Sequence, residues 1–95
     1  TGRAKGAMLT HGSLAANSAA IAAAWEWTAR DRLLLALPLF HIHGLGVGVH
    51  GTLLAGASMD LRPRFEAAEI LAALASGDHT LFFGGPTMYT RLIAE

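Results

Sequence analysis

The 95-residue chain is long enough for one small domain, and its 7 Lys and Arg balance 7 Asp and Glu, which removes the broad positive field of a nucleic-acid binder. With no cysteine, a disulfide framework, a thiolate zinc site, an iron–sulfur cluster and a cysteine nucleophile are excluded. Apolar residues reach 53% while charged residues fall to 15%, against about 25% in an ordinary globular chain, so the composition is that of an interior and implies either a partner surface or further chain.

The first segment, Thr1-Gly2-Arg3-Ala4-Lys5-Gly6-Ala7, is punctuated by glycine and reads as a loop. A helix is expected from about Ser13 to Trp27: Leu14, Ile21 and Trp25 share one face, Ser13 can cap the start, and the alanine-rich body has high helix propensity. Leu33 to Leu37 is a continuous apolar run stopped by Pro38, the pattern of a strand buried on both faces. After the loop with His41 and His43, Leu45 to Leu54 reads as a glycine-rich helix that Gly56 ends. Its Gly44, Gly46, Gly48 and Gly51 cost helix stability, so close packing or a nearby ligand is expected there. A second strand follows at Ala57 to Leu61. Glu66 to Ser76 is then a helix with Ile70, Leu71 and Leu74 as its buried stripe and Gly77 as terminator. Thr80 to Phe83 is a third strand, Gly84-Gly85 a turn, and Pro86 the start of a last helix with Met88, Tyr89, Leu92 and Ile93 on its apolar face.

Three strand–helix units in succession predict an α/β fold with a partial parallel sheet covered by flanking helices. The apolar stretches Leu33 to Phe40 and Leu45 to Ala57 are too short, or too broken by Gly and His, to span a bilayer, and no signal-peptide pattern opens the chain. The cytoplasm is the default compartment.

Ligands of open α/β sheets gather at the carboxyl ends of the strands, where His41, His43 and the Gly84-Gly85-Pro86-Thr87 turn fall. Either histidine can gate a substrate there or simply pack and hydrogen-bond at the strand end. A zinc reading of His41 and His43, with His50 as a third nitrogen, lacks a complete ligand set, and His11, His50 and His79 read as structural or solvent-facing. Lys5, the only lysine, sits between glycine-flanked positions suited to a phosphate, but it fails the Walker pattern and on this motif alone reads rather as a solvated loop lysine. Arg91 is open to two readings, an exposed pair with Glu95 one turn on or a bidentate clamp for a substrate carboxylate. Trp25 and Trp27 read as core and boundary anchors. No serine-nucleophile motif is present.

Taken together, three of these segments carry a resemblance. Thr1-Gly2-Arg3-Ala4-Lys5-Gly6 resembles the carboxyl half of the phosphate-loop signature of adenylate-forming enzymes, Leu37-Pro38-Leu39-Phe40-His41-Ile42-His43-Gly44-Leu45 resembles their next motif, and Gly84-Gly85-Pro86-Thr87-Met88-Tyr89 is similar to their G-V-P-T-x-Y turn and helix. The order and coverage imply that residues 1–95 are an internal fragment of the AMP-binding, or adenylation, domain of an acyl-CoA synthetase, within the large N-terminal domain of such an enzyme. The family chemistry so implied uses ATP, with Mg2+, to turn a carboxylate into an acyl adenylate and pyrophosphate, after which the thiol of CoA displaces AMP. By resemblance Thr1, Gly2, Lys5 and Gly6 hold the ATP phosphates. His41, Gly84, Gly85, Pro86 and Arg91 line the substrate and adenylate pocket, and the residues resemble malonyl-CoA synthetases most, with Arg91 meeting the distal carboxylate.

Two departures stand out: Ala4 replaces the usual proline and Gly85 the usual valine. The upstream half of the phosphate loop, the Tyr-Gly-x-Thr-Glu segment and the carboxyl-terminal catalytic lysine are not among these residues, so no catalytic residue is assigned, Lys5 is not promoted to that role, and the isolated chain is expected to be inactive. The remainder of a parent chain is its expected partner. The competing readings are a medium- or long-chain fatty-acyl-CoA synthetase, a non-catalytic nucleotide-binding α/β module and, weaker, a metal-dependent hydrolase.

Overall fold

A computed structural model describes residues 2–95. The central element is strand β1 (Arg32–Leu35), whose Leu33, Leu34 and Leu35 are wholly buried. Strand β2 (Ser58–Leu61) pairs with it in parallel on one side and the short β3 (Leu81–Phe82) on the other, giving the order β2-β1-β3. The register sets Leu34 opposite Asp60 and Phe82. Because β1 lies in the middle and is covered on both faces, its side chains alternate between two apolar clusters, which is why it reads as an unbroken leucine run. Leu33, Leu35 and Leu37 join Trp27 and Phe83 on one face. Leu34 and Ala36 join Ile70 on the other.

Helix α1 (His11–Ala24) is capped by Thr10, whose Oγ1 accepts the Ser13 N–H at 2.9 Å. This corrects the expected cap: Ser13 lies inside the helix, and Thr10 reaches its N–H because an N-cap oxygen bonds the third residue on. The helix also stops short of Trp27. Glu26 takes a left-handed φ of 54°, so the chain breaks there and both tryptophans turn toward Phe83, with ring centroids 5.5 Å away for Trp25 and 6.4 Å for Trp27. Trp27 is buried and Trp25 half-exposed.

The glycine-rich stretch departs from the expected α-helix. It begins as a π-helical segment, His43–Val49, and continues into helix α2 (His50–Ala55), which Gly56 ends at φ 70°. The glycines are there for contact. A Cβ on Gly48 would stand 2.8 Å from Leu35 Cδ2 and one on Gly51 2.5 Å from Trp27 Cζ3, so any larger residue would push the segment off the sheet. Thr52 Oγ1 donates to Gly48 O at 2.7 Å, satisfying a buried hydroxyl within this packed segment.

Helix α3 (Ala67–Ala75) covers the other face through Ile70 and Leu74, and helix α4 (Pro86–Ala94) leaves directly from the turn after β3. Two expected apolar faces are narrower than predicted. Leu71 is 40% exposed on α3, and Tyr89 and Ile93 are 42% and 86% exposed on α4, where only Met88 and Leu92 reach the clusters. Phe40 at 92% and Leu53 at 69% are also open, so much apolar surface finds no cover within the described residues. Among those residues no helix is long and apolar enough to cross a membrane.

Candidate active site at the carboxyl edge of the sheet

With all three strands parallel, the loops after them leave from one edge. The loop after β1 carries His41 and leads into His43, the first residue of the π-helical segment, the loop after β2 carries Phe65, and the turn after β3 carries Gly84 and Gly85. The amino edge is pinned by polar bonds. Asp31 Oδ2 accepts the Thr28 N–H and its Oδ1 the Thr80 hydroxyl, both at 2.8 Å, while Thr80 Oγ1 accepts the Arg32 N–H. These bonds, the backbone one from Thr28 foremost, hold the Asp31 carboxyl below its ordinary range. The starts of β1 and β3 are thereby fixed, and the variation needed for ligands is left to the opposite edge.

At that edge an aromatic contact joins two of these segments. The His43 ring stacks on Phe83 with centroids 4.9 Å apart and planes inclined by 8°, tying the loop after β1 to the turn after β3. His43 is absent from the pocket residues expected from sequence, because one histidine in a loop has no spacing signal that pairs it with a distant phenylalanine. His41 itself is exposed, and its Nδ1 accepts a long hydrogen bond of 3.4 Å from the His43 N–H. Gly84 packs closely on Met88 Sδ, whereas Gly85 has open space where a Cβ would stand. The missing valine side chain therefore leaves room at the turn.

Arg91 does not pair with Glu95: the salt bridges of the described residues are Arg62–Asp60, Arg64–Glu66 and His79–Asp60. Its guanidinium carbon instead lies 5.1 Å from the centroid of the Phe65 ring. Phe65 and Leu92 both pack on the α3-side cluster, so this contact lies across the sheet from the His43–Phe83 stack. Among the expected pocket residues, His41 is exposed beside His43, Gly84 and Gly85 lie in the turn that leads into α4 at Pro86, and Arg91 lies over Phe65.

The phosphate-binding residues stand apart from both. Gly2, Lys5 and Gly6 lie in an exposed lead segment, with no atom near the Cβ positions of Gly2 and Gly6. Thr1 lies outside the described residues. Among the described residues no group of three or more His, Asp or Glu could hold a metal ion. The lead segment carries Arg3 and Lys5 rather than a carboxylate, so these residues supply no site for the magnesium that accompanies ATP. A groove of about 580 Å³ between α1 and α2, lined by His11, Leu14, Ala15, Ser18, His50, Leu53 and Leu54, shares no residue with the carboxyl edge.

One polar cluster was not foreseen. His79, whose side chain is 4% exposed, has Nε2 2.9 Å from Asp60 Oδ2 and Nδ1 3.3 Å from Ala73 O, and Arg62 donates to both Asp60 oxygens at 3.0 Å. The Arg62 hydrogen bonds above all, with that of His79, hold the Asp60 carboxyl down at about 2 against burial. It braces β2 against the loop before β3.

A parallel sheet, helices on both faces and glycine turns at the carboxyl edge define an open α/β fold of the kind whose ligands bind at that edge. The family model described as AMP-binding enzyme matches residues 1–95, and the chain belongs to that family. A feruloyl-CoA synthase of Amycolatopsis sp is 42% identical over 95 residues, covering 100% of this chain and 19% of the relative. A mitochondrial malonate–CoA ligase of Mus musculus is 36% identical over 96 residues, covering 98% and 16%. The crystal structure of ATP-bound MatB from Rhodopseudomonas palustris superposes with a TM-score of 0.93 at 45% identity, over 100% of this chain and 18% of that one. The chain thus spans under a fifth of the length of these relatives, and its partial sheet with flanking helices is the α/β architecture of adenylate-forming enzymes.

Proposed function

We propose that residues 1–95 are a piece of the adenylation domain of an ATP-dependent acid–CoA ligase acting in the cytoplasm on malonate or a similar dicarboxylate. In this reading a carboxylate oxygen of the acid attacks the α-phosphorus of ATP and pyrophosphate leaves. The CoA thiol then attacks the acyl carbon of the adenylate, releasing AMP and a proton and leaving the thioester. Lys5 and the N–H groups around Gly2 and Gly6 meet the phosphates, His41 and the Gly84-Gly85-Pro86 turn border the acyl adenylate, and Arg91 meets the distal carboxylate. Catalytic groups outside these residues complete the site, and the remainder of the parent covers the open apolar surface.

The observation that carries the dicarboxylate reading is the state of Arg91. Its guanidinium rests on an aromatic face and makes no salt bridge or hydrogen bond among the described residues. A second carboxylate gives that unpaired guanidinium a charge-assisted partner, which a fatty acid lacks. A relative named malonate–CoA ligase supports the same acid, while the feruloyl-CoA synthase relative marks aromatic monocarboxylates as the comparison to make.

The test is Arg91→Ala in the full-length ligase, with pyrophosphate release measured on malonate and on propionate. The variant should lose malonate use by about tenfold or more, the worth of one charge-assisted pair, and keep propionate use. Equal loss on both acids would remove the dicarboxylate assignment.

A further inference from the structure

The proposed role of Arg91 raises the question of what holds its long, flexible side chain in place. The rest of this inference rests on that role. Phe65 leaves the carboxyl end of β2 and α4 leaves the carboxyl end of β3, and these strands flank β1. Phe65 and Arg91 therefore reach each other across the end of the central strand, one from each side.

The two partners are not equally free. Phe65 is half-buried and packs against the cluster of Leu34, Ala36 and Ile70, as does Leu92, the residue after Arg91. Arg91 is exposed, on the last turn of α4. The ring is thus the fixed platform and the guanidinium the group being placed. The guanidinium carbon lies over the ring, 5.1 Å from its centroid, and its N–H donors make no salt bridge or hydrogen bond among the described residues, so a carboxylate can still take them in the bidentate arrangement. Arg62 and Arg64 are already paired with Asp60 and Glu66, which leaves Arg91 as the arginine of this edge with its donors unspent among the described residues.

We infer that Phe65 is a positioning residue that holds the Arg91 guanidinium in place for the distal carboxylate of the substrate, and so sets the preference for dicarboxylates. It touches Arg91 and acts through it. Loss of the ring should loosen the guanidinium without removing the charge. The effect falls on binding of one substrate class and leaves the chemical step alone.

The experiment compares Phe65→Leu, Phe65→Met, Phe65→Tyr and Arg91→Ala in the full-length ligase, each checked for a wild-type melting profile, with malonate and propionate as acids. Phe65→Leu and Phe65→Met should raise KM for malonate about three- to fivefold, the size of an exposed cation–π contact, with kcat changed less than about twofold. KM for propionate should stay put, and Phe65→Tyr should match wild type. The inference is overturned if the Leu and Met variants shift both acids alike or neither, or if Tyr behaves as Leu does. Should Arg91→Ala itself treat the acids alike, the dicarboxylate reading fails and this inference with it. Should Arg91→Ala separate them while Phe65→Leu and Phe65→Met do not, only the role of Phe65 fails.

Discussion

Replacing Asp60 by Asn tests the buried polar brace, and its effect has a definite pH dependence. Asp60 lies opposite Leu34 in the register, with both carboxylate oxygens engaged by Arg62 and one also by His79. A carboxyl held at about 2 rather than at 3.8 contributes at most about 2.4 kcal/mol to stability at neutral pH. The side chains of Asp60 and Arg62 are 21% and 30% exposed, so solvent screening lowers this to about 1–2 kcal/mol. The sign follows from the direction: a depressed carboxyl stabilises the fold fully above the unfolded value of 3.8, and the contribution is lost as the pH falls through about 2. Protonated Asp and Asn have nearly the same shape, so the two proteins should converge in acid. Urea unfolding followed by the fluorescence of Trp25 and Trp27 should show wild type ahead by about 1–2 kcal/mol at pH 7, with about half of that gap gone at pH 3. A gap that is absent at pH 7, or that stays constant down to pH 3, would refute the reasoning.

Two glycines within helices should respond in opposite directions. Gly51→Ala places a methyl 2.5 Å from Trp27 Cζ3, and overpacking outweighs the gain in helix propensity, for a net loss of about 1–2 kcal/mol in the same unfolding assay. Gly12→Ala, in the first turn of α1 with only Thr10 Oγ1 at 3.8 Å, should raise stability by about 0.5–1 kcal/mol. In the full-length ligase, Lys5→Ala should raise KM for ATP about tenfold with little change for the acid, as expected for loss of one charge-assisted contact to a phosphate. An unchanged KM for ATP would take Lys5 out of the nucleotide site.

The strand–helix order was legible because β1 needs apolar residues on both faces and its run ends at Pro38, and because Gly56, Gly77 and Pro86 mark helix ends and starts through backbone geometry alone. The start of α1 was misplaced because Thr10 and Ser13 are both capping residues three apart, and only the backbone decides which of them sits at the boundary. The π-helical opening of the glycine segment depends on how closely it lies against Leu35 and Trp27, contacts with no local signature. The site shows the same division. His41 and the Gly84-Gly85 turn are legible as loop residues because they follow strand ends, whereas His43 on Phe83, Arg91 on Phe65 and His79 on Asp60 join residues distant in sequence. Arg91 was ambiguous for the same reason: Glu95 is its neighbour by spacing, but the sheet brings Phe65 closer in space.

We propose that this chain belongs to an enzyme that makes an acyl adenylate from a dicarboxylate. The direct measurement is mass spectrometry of the full-length protein's reaction with ATP and malonate in the absence of CoA. Malonyl-AMP and pyrophosphate should form together and convert to malonyl-CoA and AMP when CoA is added. Formation of ADP and phosphate, or of no adenylate with malonate while ferulate or a fatty acid yields one, would contradict it.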